Sequence, residues 1–360
     1  MAKPISSRQV EVDDAFAAME HAWDQGWTDG LPIVPPTPDR VAAFLDYLQV
    51  EPDQVIGEYW VRNRGITAEK MAINSVMAGC KAEYMPVVVA ALEALTDPEF
   101  RLNHIASTSS PWPAFVVNGP IAEEIGLNNG LYVMGPGRRA NATIGRAISL
   151  TLANCLDARA GGVQQGAMGN PCRMGGMVIA EREDTPWEPL SAMRGFERGT
   201  NTVTALSTME APVDTRIYQM PHVTTAEGLS AVLAEHLSEG WFCPGTHMVL
   251  LSPSYQRPYL EEEWSKADLA RYLEEHTRSS VARLKRKGRF PDEQGHVGGV
   301  PTVDPGDEDR YVYHAQSQSK TEYLIAVAGG DVGAFAMIFK PYPVGPSPVT
   351  KVIRLPGEPA

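Results

Sequence analysis

The sequence predicts an α/β fold in which helices pack around mixed sheets. Short apolar segments bounded by turn residues, such as 115–121, 177–180 and 323–328, are typical of buried strands. A longer segment, 69–95, carries apolar residues at helical spacing and predicts two consecutive helices. Glycine-rich stretches predict long loops in the middle of the chain, and residues 10–25 predict a helical N-terminal portion.

Composition suggests three parts along the chain. Residues 1–50 predict a helical arm followed by a proline-rich loop, and residues 51–340 predict the main α/β domain. A candidate boundary between two lobes of that domain falls near residues 195–200. Residues 341–360 are rich in proline and predict a tail laid extended across the surface. Within the main domain, the glycine turn after residue 328 predicts either a hairpin of two apolar strands or a strand-turn-strand unit close to the core.

Charge and length exclude several classes of function. The chain has 360 residues, of which 43% are hydrophobic, and its net charge is −13. Such an acidic chain is a poor partner for nucleic acid or for an anionic membrane surface. No apolar run approaches the roughly 18 residues that a membrane span requires, and the N-terminus lacks the apolar core of a signal peptide. We therefore expect a cytoplasmic protein, and the sequence leaves a homo-oligomer open.

The four cysteines form no C-x-x-C pair, which excludes a local zinc ribbon or dithiol motif. In a reducing cytoplasm they are expected to be free thiols. The histidines show no H-x-H or H-x-x-x-H spacing, so no metal and no other cofactor is expected from local patterns. A metal site assembled from distant segments stays open at this point.

Cys80 is the first candidate for a catalytic group. It follows Gly79 at the break between the two helices predicted for residues 69–95, and Lys81 is its neighbour. A thiol just ahead of a helix start, beside a cation, can be biased toward the thiolate. The alternative is a small buried hydrophobe at a helix corner, the usual place of a free cysteine. The local residues favour neither interpretation.

A glycine-rich loop at residues 135–146 runs into a helix and predicts an anion-binding site. Asn141 is a candidate N-cap, and free backbone N–H groups at a helix start attract carboxylates or phosphates. Arginine forks would add charge-assisted bonds. The alternative is that these arginines are solvated or paired with acids. The substrate-binding candidates of this loop are Arg138, Arg139, Asn141, Thr143 and Arg146.

Polar side chains near strand ends complete the candidate site. Asn118 ends a predicted strand, and either it or Asn74 could donate to a developing oxyanion. Glu181 and Glu183 are two residues apart, so in a strand they share a face and could pair as acid and base. The alternatives are an Asn118 that bonds its own turn and acids that are solvated or paired.

Three motifs together resemble a bacterial family associated with UGSC-type (seleno)proteins, although the chain has no U-G-S-C or C-G-S-C motif of its own. The likeness spans residues 24–340 and implies a thiol- or selenol-dependent chemistry. The motifs are Asp29-Gly-Leu-Pro-Ile-Val-Pro-Pro-Thr37, Glu69-Lys-Met-Ala-Ile-Asn-Ser-Val-Met-Ala-Gly-Cys80 and Arg139-Ala-Asn-Ala-Thr-Ile-Gly-Arg146, supported by Asn118-Gly-Pro120, Pro186-Trp-Glu-Pro-Leu190 and Ala328-Gly-Gly330.

The leading hypothesis is a cysteine-dependent enzyme that acts on a small carboxylate-bearing molecule. Cys80, Asn118 and Glu181 would be catalytic, and carbon–heteroatom bond cleavage of the lyase or hydrolase type is favoured. One alternative is a non-catalytic substrate-binding subunit of a thiol or selenol redox system, with a separate (seleno)protein partner. A third is a metal-dependent lyase or hydrolase with His104, Glu181 and Glu183 among its ligands.

Overall fold

The computed structural model describes residues 4–169, 177–209, 213–216, 223–239, 245–288, 302–316, 321–342 and 347–358. The chain forms two compact units. The first unit comprises residues 1–183, 189–211 and 346–360, and the second comprises residues 184–188 and 212–345. Both contain helices and sheets, which confirms the predicted α/β class. No helix in the described ranges has the length and apolar character that crossing a membrane would require.

The helices and strands are numbered along the chain. The helices are α1 (Ala15–Asp24), α2 (Pro38–Leu48), α3 (Ala68–Ala78), α4 (Met85–Thr96), α5 (Ile121–Glu124), α6 (Arg139–Leu156), α7 (Leu190–Met193), α8 (Ala226–Glu239), α9 (Pro253–Glu261), α10 (Lys266–His276) and α11 (Val281–Arg286). The strands are β1 (Val55–Tyr59), β2 (Arg64–Thr67), β3 (Trp112–Asn118), β4 (Met177–Ala180), β5 (Thr202–Thr208), β6 (Val213–Arg216), β7 (Thr246–Leu251), β8 (Arg278–Ser280), β9 (Tyr311–Tyr313), β10 (Glu322–Val327), β11 (Phe335–Phe339) and β12 (Val349–Val352).

The sheet of the first unit has the strand order β12-β5-β3-β4. Strands β3 and β4 run parallel, whereas β5 is antiparallel to both β3 and β12, so the sheet is mixed as predicted. Every residue of β3 is buried, as expected of a central strand that is apolar along its whole length. Helices α3 and α6 pack closely against each other, and α4 packs on β5 and β12.

The predicted surface tail is wrong for its middle part. Residues Val349–Val352 form the edge strand β12, which pairs with β5. Val349 and Ile353 are buried in the core of the first unit. The prolines around this segment suggested an extended surface tail, but they leave a short apolar run between them that can donate to a sheet edge.

The sheet of the second unit has the order β10-β7-β11-β6, so the turn after residue 328 belongs to a strand-turn-strand unit and not to the alternative hairpin. Strand β7 lies between β10 and β11, parallel to the first and antiparallel to the second. The glycine turn at Gly329 therefore joins two strands that are not paired with each other. An almost entirely buried strand such as β7 needs a neighbour on each side to satisfy its backbone, and local turn signals carry no information about that neighbour.

Candidate functional site

Cys80 lies at the C-terminal end of α3. Thr67 caps the start of that helix by accepting from Lys70 N, and Gly79 ends it in the left-handed region with φ of 88°. The backbone N–H of Cys80 then donates to Ser75 O at 3.0 Å. The negative end of the helix dipole is found here, which is opposite to the environment that the sequence suggested.

The thiolate interpretation of Cys80 finds no support in its surroundings. The side chain is only 6% exposed, and its Sγ donates to Thr143 O at 3.3 Å. Burial raises the pKa of the Cys80 thiol to about 12, against the smaller opposing effects of Thr143, Arg139 and Arg146. At neutral pH the group is a protonated thiol. Its surroundings match the alternative interpretation, a small hydrophobe at a helix corner.

Two of the arginines that were predicted to bind an anion make hydrogen bonds to other parts of the chain. Arg139 donates from Nε to Gly79 O at 2.9 Å and from Nη2 to Cys80 O at 3.4 Å. Arg146 makes a bidentate pair with Asp29, with both N–O distances at 2.8 Å, and donates to Pro32 O at 2.9 Å. Burial acts to raise the pKa of Asp29, but the hydrogen bonds and charge of Arg146 outweigh it, so the pKa lies below its usual value. These contacts join the three motifs of the resemblance in space.

The other candidates of the loop also differ from expectation. Asn141 is not the N-cap, because α6 begins at Arg139 and the cap position belongs to Arg138, whose side chain makes no cap bond. The amide of Asn141 accepts from Asn128 N and donates to Val178 O, both at 2.9 Å, so it holds a loop against β4. Arg138 is exposed. Thr143 donates from Oγ1 to Arg139 O at 2.8 Å.

The structure brings Asn118, Glu181 and Glu183 together at the carboxyl ends of β3 and β4. Asn118 Nδ2 donates to Glu181 at 2.7 Å and to Glu183 at 3.2 Å. Glu181 also accepts from Leu190 N, and Glu183 accepts from Gly119 N at 2.6 Å. These bonds order the turns that follow the two strands. An acid–base role for Glu181 stays a prediction.

Metal chemistry has no support in the described part of the chain, where no three His, Cys, Asp or Glu side chains are grouped so as to hold an ion. His104 donates from Nδ1 to Arg101 O at 3.0 Å, next to its own 3₁₀ turn. Cys172 and Cys243, which complete the set of four cysteines, lie outside the described residues.

A cavity of about 700 Å³ lies inside the first unit, away from Cys80. This volume is typical of small-molecule sites. The N-terminal arm (residues 5–12), α1, the proline-rich segment 33–38, α3 and the last turn of α6 form its walls. Lys70, Ile73, Asn74 and Met77 lie at helical spacing along one face of α3, so that this face supplies both polar and apolar lining.

Asparagine side chains form a hydrogen-bond relay across the cavity wall. Asn74 Nδ2 donates to Lys70 O at 2.8 Å, and Asn74 Oδ1 accepts from Asn154 Nδ2 at 2.7 Å. Asn154 Nδ2 also donates to Trp27 O at 2.8 Å. Asn74 is thus placed in the cavity wall, and one of its two N–H donors is used within the relay. Asn154 Oδ1 is buried and accepts no hydrogen bond in the structure.

His21 and Cys155 are the other reactive side chains of the cavity. The ring of His21 lies edge-on to Trp27, with centroids 5.5 Å apart, and its buried Nε2 has no hydrogen-bond partner in the structure. Burial raises the pKa of the Cys155 thiol to about 11, and the nearby charge of Lys70 opposes that rise. Cys155 is therefore a protonated thiol at neutral pH.

The charged residues that line the cavity are mostly cations, whereas the chain as a whole has a negative net charge. The lining residues include three cations, Arg8, Lys70 and Arg159, and one carboxylate, Glu11. The net charge of the whole chain is nevertheless −13. Lys70 donates to Ser7 Oγ at 3.0 Å, and Arg159 pairs with Asp157 at 3.2 Å. A local excess of cations in an acidic chain favours anions in this cavity.

The sequence predicted Asn74 as a site residue, but it did not predict His21, Asn154 or Cys155 as site residues. The available signal was a polar pair, Asn154-Cys155, in the last turn of an otherwise apolar helix face. Comparison with family models, with curated proteins and with solved structures finds no match to the chain. The resemblance to the UGSC-associated family therefore stays an expectation.

Proposed function

We propose that the first unit binds a small carboxylate-bearing molecule with an apolar body in the cavity between the N-terminal arm, α3 and α6. The observation that carries this proposal is the excess of cations over carboxylates in the lining of a 700 Å³ cavity within an acidic chain. Fields focus in such concave sites, where low-dielectric walls strengthen them. The proposal keeps the small anionic ligand expected from the sequence, but the ligand binds in this cavity and not beside Cys80.

The apolar part of the lining supports a ligand with a hydrocarbon portion. Trp27, Ile33, Val41, Ile73 and Met77 all face the cavity. Ligand sites of this size bury most of the ligand against apolar side chains and use a few polar groups to orient it. Inorganic anions would leave that surface uncovered. An organic acid fits both halves of the lining.

Calorimetric titration with hydrocinnamate, its neutral amide and the corresponding amine tests the proposal. We expect the carboxylate to bind best and the amine worst, because the cations of the lining discriminate by charge. Lys70→Met should weaken hydrocinnamate binding about tenfold, the loss of one charge-assisted contact. Lys81→Met, which removes an exposed lysine outside the cavity, is the matched control and should bind as the wild type does.

Two results would contradict this function. One is equal affinity for the acid, the amide and the amine. The other is an equal loss of affinity in Lys70→Met and Lys81→Met, which would show that the lysines act through overall charge and not through the cavity.

The catalytic form of the proposal assigns carbon–heteroatom cleavage to the same cavity, with Cys155 in the place of Cys80. Of the two cysteines in the described residues, only Cys155 lines the cavity. As a protonated thiol it would act as a proton donor, not as a nucleophile. Bound hydrocinnamate should slow iodoacetamide labelling of Cys155 at pH 9 and leave that of Cys80 unchanged. Protection of Cys80 alone would return the chemistry to the place that the sequence suggested.

A further inference from the structure

The relay that holds Asn154 fixes which way its amide points. An asparagine amide has two N–H donors on one side and a carbonyl acceptor on the other. Asn154 Nδ2 has two acceptors within reach, Trp27 O and Asn74 Oδ1. Reversing the amide would set its oxygen against the Trp27 carbonyl, which cannot donate. The orientation of Asn154 therefore follows from its partners.

Asn74 cannot adapt to a reversed Asn154. Its own Nδ2 donates to Lys70 O at 2.8 Å, one helical turn earlier, so its oxygen must face Asn154. Every member of the relay thus has one arrangement that satisfies its neighbours. The arrangement leaves one polar atom over, Asn154 Oδ1, which is buried and accepts no hydrogen bond in the structure, in a residue that lines the cavity. A buried acceptor without a donor is costly, and a bound donor would remove that cost.

His21 places a second polar atom without a partner in the same part of the cavity. Its Nε2 is buried, and Trp27 is a neighbour of both residues: its ring lies against His21, and its carbonyl accepts from Asn154. A hydroxyl group can donate to Asn154 Oδ1 and accept from His21 Nε2–H at once. An ammonium group can only donate, and the surrounding cations would repel it.

We propose that Asn154 is a specificity-determining residue that selects a hydroxy acid, by accepting a hydrogen bond from a hydroxyl that the ligand carries close to its carboxylate. The inference rests on the proposed carboxylate site and adds the second polar group of its ligand. The ligand's hydroxyl and carboxylate must be close together, because the residues that would bind them are neighbours in the cavity wall. Lys70 carries the charge, its carbonyl starts the relay to Asn154, and its charge acts on the adjacent Cys155.

Calorimetric titration of the full chain with three acids of one skeleton tests this inference. Hydrocinnamate has no donor beside its carboxylate, phenyllactate adds a hydroxyl, and phenylalanine adds an ammonium group. We expect phenyllactate to bind about tenfold more tightly than hydrocinnamate, the size of one hydrogen bond made to a buried acceptor. Phenylalanine should bind more weakly than either. Isocaproate and 2-hydroxyisocaproate give the same comparison on a smaller skeleton.

The variant Asn154→Ala should abolish the preference for the hydroxy acid, measured as the ratio of the phenyllactate and hydrocinnamate affinities. Asn129→Ala, at an exposed asparagine outside the cavity, should retain the preference. Equal affinity of the wild type for hydrocinnamate and phenyllactate would overturn the inference but leave the carboxylate site standing. Tighter binding of phenylalanine would also overturn it. Failure of all the acids to bind would overturn both proposals. The wild-type preference is informative even if Asn154→Ala does not fold.

Discussion

The surroundings of Cys80 and of Cys155 differ in whether their polar atoms have hydrogen-bond partners within the chain. Around Cys80, Arg139 and Arg146 bond backbone carbonyls or Asp29, and the thiol itself donates to Thr143 O. We call this group, Cys80, Arg139, Thr143 and Arg146 with Asp29, the Cys80 junction. Around Cys155, the cavity retains polar atoms without partners, at His21 and Asn154.

The difference separates residues that hold the fold from residues that are available to a ligand. The Cys80 junction ties the Asp29 turn, the end of α3 and the start of α6 to one another, and these are the three motifs that stand out in the sequence. Conspicuous glycine, arginine and cysteine spacing can therefore mark a structural tie. The cavity takes its polar groups from segments that have no common motif, and it is there that hydrogen-bonding capacity is left over.

Arg146→Leu should give the largest effect on stability. It would remove a bidentate pair and a bond to Pro32 O, and it would leave Asp29, which is only partly buried, without its cation. We expect a loss of about 1 to 2 kcal/mol in the free energy of unfolding, because solvent partly screens the pair. Urea denaturation followed by fluorescence measures it. Arg138→Leu is the matched control, because Arg138 is exposed, and should change stability by less than about 0.5 kcal/mol.

The same pair of variants can break the comparison. If Arg146→Leu is as stable as Arg138→Leu but no longer binds hydrocinnamate, Arg146 is an anion-binding residue and not a structural tie. The sequence-based interpretation of the glycine-rich loop would then be the better one.

Alkaline pH should distinguish the buried thiol of Cys80 from a reactive one. Its pKa rises from about 9 to about 12 on folding, so between these values the unfolded chain loses a proton that the folded chain keeps. The stabilisation is complete below pH 9 and is lost as pH rises toward 12, by about 1.4 kcal/mol per pH unit. Cys80→Ala should therefore show a shallower fall in unfolding free energy between pH 9 and 10.5 than the wild type. Tyrosine titration affects both proteins and cancels in the difference.

Cys155→Ala provides the control for this measurement, since burial also raises the pKa of Cys155, to about 11. It should flatten the alkaline slope by a similar amount. An unchanged slope in Cys80→Ala would mean that the folded protein holds this thiol near its ordinary pKa, as a reactive cysteine requires.

The secondary structure was predictable wherever one local pattern was sufficient. The strand Met177–Ala180 formed where local residues placed it. The helix after the glycine-rich loop also formed, although it begins at Arg139 and not after Asn141. The pairing of β10 with β7 was not predictable, because it depends on a strand about 75 residues earlier. Nor was the pairing of β12 with β5, because most of the second unit lies between these two strands in the sequence.

The candidate site was less predictable than the fold, for a physical reason. A thiol's pKa depends on burial and on the direction of the adjacent helix, and sequence gives neither for Cys80. Arg146 could be recognised as charged but not as the partner of Asp29, which lies far away in the chain. Asn154 gains significance only because Trp27 and Asn74 use its donors and leave its acceptor free.

Glu69→Gln should give the smallest effect on stability and act mainly on the cavity. Glu69 is 2% exposed and accepts hydrogen bonds from the backbone and hydroxyl groups of both Ser6 and Ser7, so it holds the arm that forms one wall. The amide would replace an ionic acceptor by a weaker neutral one, at a cost of about 1 kcal/mol. Trypsin cleavage after Arg8, read by mass spectrometry, should become about fivefold faster.

Acid should release the arm of the wild type in the same way. Burial acts to raise the pKa of Glu69, but the bonds from Ser7 and Ser6 outweigh it and hold the pKa below its usual value. A depressed pKa stabilises the folded arm above about pH 4.3, the ordinary value, and that stabilisation is lost as pH falls further. Labelling by hydrogen exchange at pH 3 and pH 6 should therefore show an acid-sensitive arm in the wild type and a less sensitive one in Glu69→Gln, after correction for intrinsic exchange rates.

If hydrocinnamate protects the arm in the wild type and not in the variant, arm and ligand close the cavity together. Equal protection in both proteins would place the ligand away from the arm and limit the cavity to α3 and α6.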